Sequence, residues 1–289
     1  MRISESSNRS AALPDKLRAA CIQLCSGKDR AANLATAARL LKQAAERGAQ
    51  LALLPENFTS MGGSEAEKRN MAEHEADSPI LRFLSEQAAA HRLAIIGGTL
   101  LLRTSNQQPG AEPDGRIRNS CPVFDSRGRL LAIYDKIHLF DMDYEGESYC
   151  ESSLIEAGRQ PIAAPVPPFR AGVSICYDLR FPELYRAYAD AGCDLLCNVA
   201  AFTATTGRAH WQPLLQARAI ENQSYLLAAA QCGTHPDGRQ TWGHSMIIDP
   251  WGDILAQLDE EEGVIVADLS IARLQHIRAS LPALQHRRI

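Results

Sequence analysis

Short, almost wholly apolar runs recur along this chain of 289 residues, at 50–54, 173–176, 195–200 and 225–231. Runs of this length are too short for core helices and read as strands. They alternate with segments of helical spacing. Residues 31–47 place apolar side chains on one helical face and stop at Gly48. Ser78 followed by Pro79 starts a second helix, a capping residue before proline at the first position, that runs to about residue 91. Residues 183–191 and 210–222 form two more, and 271–277 a last one. Strands are also expected at 17–24, at 264–268, and at 93–102, where Gly97-Gly98 interrupts. Hairpins are expected across Asp125-Ser126-Arg127-Gly128 and around Asp249-Pro250-Trp251-Gly252. Alternating strands and helices mixed with hairpins give an α/β chain with a mixed sheet.

Composition sets limits on what such a chain does. Apolar content of 45% and charged content of 22% are ordinary for a globular protein. Neither a composition break nor an internal repeat divides the chain, so the expectation is one domain, residues 16–289, behind a flexible tail, residues 1–15. That tail is polar and Ser-rich, without the apolar core of a signal peptide, which points to the cytoplasm. The net charge is −4 with no basic stripe, which argues against nucleic acid as a partner. No apolar run approaches the ~20 residues of a membrane span. Eight cysteines occur without a Cys-x-x-Cys pair. With no export signal they read as packed free thiols, Cys193 and Cys197 included, and not as disulfides or a metal site. Residues 107–117 are a Pro/Gly-rich loop.

Three strand ends carry chemistry. The run 51–54 ends in Pro55 and Glu56, the strand before residue 135 ends in Asp135-Lys136, and 173–176 ends in Cys176. In α/β sheets, ligand and catalytic groups gather at strand ends. Pro182 then opens a helix, so Cys176 is expected on an exposed strand-to-helix turn near a helix N-terminus, a setting that favours thiolate.

In this order, Pro55-Glu56-Asn57, Asp135-Lys136-Ile137-His138-Leu139-Phe140 and Cys176-Tyr177-Asp178-Leu179-Arg180-Phe181-Pro182-Glu183 resemble the signature segments of the nitrilase superfamily of carbon–nitrogen hydrolases. The resemblance runs from about residue 16 to the C-terminus. Residues 201–211 and Trp242-Gly243-His244-Ser245-Met246 resemble its amidase branch, which holds deaminated glutathione amidase and omega-amidase. The resemblance implies an α-β-β-α sandwich of two mixed sheets flanked by helices, a homodimer or larger homo-oligomer, and a cofactor-independent, metal-free site. It implies a catalytic set of Glu56, Lys136 and Cys176. A supporting acid near Lys136 belongs to the pattern too; Glu151 fits it best, with Glu145 and Glu147 as competitors.

An amide carbonyl is a poor electrophile with a poor leaving group, so its hydrolysis needs a nucleophile, a proton shuttle and positive charge at the oxyanion. Cys176, Glu56 and Lys136 supply these, with the Tyr177 N–H as a second oxyanion donor. Arg180 is expected to grip a substrate carboxylate. Phe202 and Thr206 match pocket positions of the amidase branch, while His210 and His244 read as structural. The expected substrate is a small amide with a carboxylate and a 2-oxo group. Deaminated glutathione comes first and a dicarboxylate monoamide such as 2-oxoglutaramate second. A nitrilase or an N-carbamoyl hydrolase would use the same three residues, and an idle binding scaffold would keep the fold without turnover.

Overall fold

The structure, a computed structural model, describes residues 15–103, 115–144 and 146–289. Nearly all of the expected tail, most of the 107–117 loop, and Glu145 lie outside the described residues.

Two sheets stack face to face. Across the first, the strands run Gly263–Ser270, Lys16–Gln23, Leu51–Leu54, Ala94–Gly97, Ile117–Phe124 and Leu100–Arg103, with Leu130–Asp135 also paired to Ile117–Phe124. Across the second they run Ile254–Gln257, Met246–Ile248, Tyr225–Ala230, Leu195–Ala200, Phe169–Ile175 and Ala163–Val166. In each sheet a parallel trio sits between antiparallel flanks. The period-two alternation of a strand decides which side chains meet which layer. Cys21, Leu53 and Val123 point inward to Val173, Val199 and Leu227 and form the core between the sheets. Their neighbours Ala20, Ala52 and Leu54 point outward to Leu40 and Leu41 of the helix Arg30–Glu46, and to Ile80 and Leu84 of the helix Pro79–His91. Over the second sheet lie the helices Pro182–Asp190 and Ala204–Asn222, with Tyr185, Trp211 and Leu215 buried. The result is the α-β-β-α sandwich.

Local chemistry fixes the element ends. Asp29 caps the helix Arg30–Glu46 by accepting from the N–H groups of Ala31 and Ala32. Ser78 caps Pro79–His91 through the Leu81 N–H. Gly98 matters most for the site. Its φ is +61°, and a Cβ there would collide with the Pro55 carbonyl oxygen next to Glu56, so only glycine lets the chain pass so close. The expected strand at 93–102 is accordingly two strands, paired with different stretches of Ile117–Phe124.

Other differences have equally physical causes. The helix expected from residue 210 begins at Ala204, because Thr205, Thr206 and Gly207 are poor helix formers that tertiary packing overrides. The helix Glu65–Met71, with its capping box from Ser64 and Glu67, presents no apolar face, since none of its residues is buried. The edge strand Ala163–Val166 is short. So are the hairpins Asp141–Tyr144 with Glu147–Cys150 and Cys232–Thr234 with Gln240–Trp242. Too few residues alternate in them to raise a period. Among the described residues, no helix is long and apolar enough to cross a membrane.

Candidate active site

Glu56, Lys136 and Cys176 each follow the last residue or two of a strand, and all three line one cavity of about 280 Å³. They are 3%, 2% and 6% exposed respectively. Lys136 Nζ lies 3.0 Å from Glu56 Oε1 and 2.8 Å from Glu151 Oε2. Glu56 Oε2 accepts the Ala201 N–H at 2.9 Å, from the end of the strand Leu195–Ala200. Glu151 Oε2 also accepts the Phe140 N–H at 2.7 Å. Of the competing acids, Glu147 instead accepts from the Thr205 hydroxyl at 2.8 Å.

Electrostatics follow from this burial. Desolvation alone would raise the Glu56 carboxyl. The adjacent Lys136 ammonium, the Arg239 charge and the Ala201 N–H outweigh it and hold Glu56 below the ordinary carboxylate value. Burial alone would lower Lys136, but Glu151 and Glu56 raise it, so the ammonium stays charged. Burial and the Glu56 charge push the Cys176 thiol far up, and Lys136 and Arg239 offset only part of this. The expectation of an exposed thiolate is thereby corrected. The strand end lies between two sheets rather than at a solvent-facing rim, so Cys176 rests as a neutral thiol beside an ionised carboxylate. Its turn, Cys176–Arg180, does run into a helix with Pro182 in its first turn. Cys176 itself has φ +46°, the left-handed region, which presents its side chain at a sharp bend off the strand.

Tyr177, Arg180, Phe202 and Thr206 are not among the residues that line this cavity. The Arg180 guanidinium lies 3.2 Å from His210 Nδ1 and stacks over the rings of Tyr177 and Phe202, at 5.7 and 5.1 Å. The Thr206 hydroxyl lies 2.9 Å from that of Thr203. Neither His210 nor His244 lines the cavity; the His244 ring stacks on Trp242 at 4.4 Å.

Sequence reasoning missed three residues. Asp178, fully buried, accepts from the Tyr134 hydroxyl (2.7 Å), the His138 N–H (3.0 Å) and the Ile175 N–H (2.8 Å), and contacts the His138 ring. It ties the strand end that carries Lys136 to the one that carries Cys176. Asn119 donates to Glu56 Oε1 at 3.0 Å and to Glu151 Oε1 at 3.4 Å. Arg239 lines the cavity from the turn of the hairpin Cys232–Thr234 with Gln240–Trp242. The available signal for Asp178 was its place inside the nucleophile segment. Asn119 and Arg239 sit in a strand and a turn where nothing in the spacing sets them apart.

The carbon–nitrogen hydrolase family profile matches residues 18–279. The chain is 42% identical over 272 residues to a deaminated glutathione amidase of Synechocystis sp., covering 93% of this chain and 97% of that one. It is 36% identical over 274 residues to omega-amidase NIT2 of Danio rerio, covering 94% and 95%. Among solved structures it is similar to the C. elegans NitFhit protein, with a TM-score of 0.87 and 35% identity over 96% of this chain; it spans 66% of that one. Geometry, profile and relatives agree: the chain belongs to the carbon–nitrogen hydrolase family.

Proposed function

We propose that the protein is a thiol-dependent amidase that cleaves the C–N bond of a small 2-oxo amide bearing a carboxylate, deaminated glutathione being the leading substrate. The observation that carries this reading is geometric: the buried side chains of Cys176, Glu56 and Lys136 line one cavity, with Lys136 Nζ 3.0 Å from Glu56 Oε1. Cys176 Sγ attacks the carbonyl carbon while Glu56 takes its proton. The resulting oxyanion is met by Lys136 and the Tyr177 N–H. As the C–N bond breaks, the protonated Glu56 returns that proton to the departing nitrogen, leaving a thioester on Cys176. Glu56 next draws a proton from water, whose oxygen attacks the thioester; the acid departs and the proton returns to sulfur. Glu151 and Asn119 hold Lys136 and Glu56 in register.

The positive charge at the oxyanion comes from Lys136, so turnover is expected to survive exhaustive chelation. The Synechocystis relative's name favours deaminated glutathione. A second reading, a dicarboxylate monoamide such as 2-oxoglutaramate, is favoured by the Danio rerio relative. We further propose that residues 16–289 act as one domain, in the cytoplasm, as a homodimer or higher homo-oligomer. Incubating the purified protein with deaminated glutathione, 2-oxoglutaramate and a matched nitrile decides the main point. Release of the 2-oxo acid from the first at the highest kcat/KM is expected. Turnover of the nitrile alone would overturn the amidase reading.

A further inference from the structure

Among the described residues, four cations line the cavity, and two are already neutralised. Lys136 is held by Glu56 and Glu151, and Arg30 by Glu73. Lys68 stands on the helix Glu65–Met71, and no side-chain hydrogen bond fixes its ammonium among the described residues. Arg239 is different. Its Nη2 donates to the Ala201 carbonyl oxygen at 2.7 Å, and its guanidinium lies over the Tyr149 ring, 5.0 Å from the centroid. Tyr149 lines the same cavity. The turn that carries Arg239 is itself anchored. The His235 ring lies 2.9 Å from the Ser26 carbonyl oxygen and 2.7 Å from the Thr241 hydroxyl, and the Arg239 N–H donates to Asp237 at 3.2 Å.

Among the described residues, no carboxylate forms an ion pair with the Arg239 guanidinium, and its buried Nε–H has no hydrogen-bond partner. A rigidly held guanidinium with no close ion-pair partner, on the wall of the site, is a receptor for a planar anion. Arg180, by contrast, is off the cavity and occupied by His210 and two rings.

We propose that Arg239 is the specificity-determining residue that recognises a carboxylate of the substrate. As a statement about substrate this rests on the amidase reading. As a statement about the site it does not, because Arg239 faces the same space as the Cys176 thiol whatever bond is cleaved. The task the sequence assigns to Arg180 therefore falls to Arg239.

The test alkylates Cys176 with iodoacetate and with iodoacetamide, following the Cys176 peptide by mass. Both reagents need the same thiolate, so the ratio of their rates cancels its abundance and reports attraction of the carboxylate alone. In the wild type the ratio should exceed that of free N-acetylcysteine. It should fall at least fivefold in Arg239→Gln, fall less in Arg239→Lys, which keeps the charge without the fork, and change less than twofold in Arg180→Met. A wild-type ratio at or below the free thiol's overturns the proposal without any variant having to fold. So does a fall confined to Arg180→Met. In a second arm, Arg239→Gln should lose at least tenfold more kcat/KM on deaminated glutathione than on its neutral carboxamide analogue; equal losses would mean that Arg239 serves only Glu56 and Cys176. If the wild type turns over neither compound, the amidase reading fails while the alkylation ratio still judges Arg239.

Discussion

Cys176 combines two costs that a reactive residue can carry and a packing residue would not. It is a non-glycine at φ +46°, and its thiol is buried where ionisation is disfavoured. The left-handed backbone costs an L-residue about 1–2 kcal/mol, and glycine escapes it. Cys176→Ala and Cys176→Gly should both be inactive, but the glycine variant should be more stable than the alanine variant by about 1 kcal/mol in denaturant unfolding. Equal stabilities would mean that the turn carries no strain; retained turnover in either would remove Cys176 from the chemistry. Its two neighbours should fail by different routes. Glu56→Gln cannot shuttle protons, so any acyl-enzyme formed should persist and show as added mass on the intact protein. Lys136→Met loses oxyanion stabilisation of about 3 kcal/mol and leaves the buried Glu56 facing the half-buried Glu151 without their shared cation, so it should hardly acylate. Normal turnover in either variant would sink the roles proposed for them.

Strand ends are precise only if something outside the strands sets their spacing, and Asp178 does this. It draws hydrogen bonds from Tyr134 and Ile175 in opposite sheets and from His138 beyond Lys136. Asp178→Asn replaces an acceptor-only group with one that must aim an N–H at donors, which costs about 2–4 kcal/mol at a fully buried position. The apparent Tm should fall by roughly 5–10 °C, with kcat falling alongside it. A Tm within two degrees of wild type, read by calorimetry, would mean that the clamp is dispensable. The same contrast explains what was legible in the sequence. Leu195–Ala200 and Tyr225–Ala230 declare themselves because buried central strands are almost wholly apolar. The flanking residues of the site could be read as types at strand ends but not as neighbours. The 62 residues between Glu56 and Asn119, and the equally long stretch between Cys176 and Arg239, are closed only by the stacking of the sheets. A short hairpin such as Cys232–Thr234 with Gln240–Trp242 leaves no period to detect, and that is where the unforeseen cation stands.

For the molecule as a whole, the surface and the site answer to pH separately. The chain carries a net charge of −4 with a sequence pI of about 6.1, so its surface charge passes through zero in mildly acidic solution and solubility should be lowest there. The site does not follow. Glu56 is depressed, so its ionised form and the stability it lends are fully present above the ordinary value of 4.5 and lost only as pH falls through a lower one. Lys136 is raised, so its contribution is present below 10.5 and lost only as pH rises through a still higher value. Cys176 is raised above 9.0 and stays a neutral thiol beneath it. All three groups thus hold the form the mechanism requires between 4.5 and 9.0. The pH profile of kcat/KM, which reports the free enzyme, should therefore run level through the pI on a substrate that does not itself titrate there, with its acid limb below 4.5. An acid limb near the ordinary imidazole value of 6.5 would instead make a histidine the base, and Glu56 would lose its place as the proton shuttle.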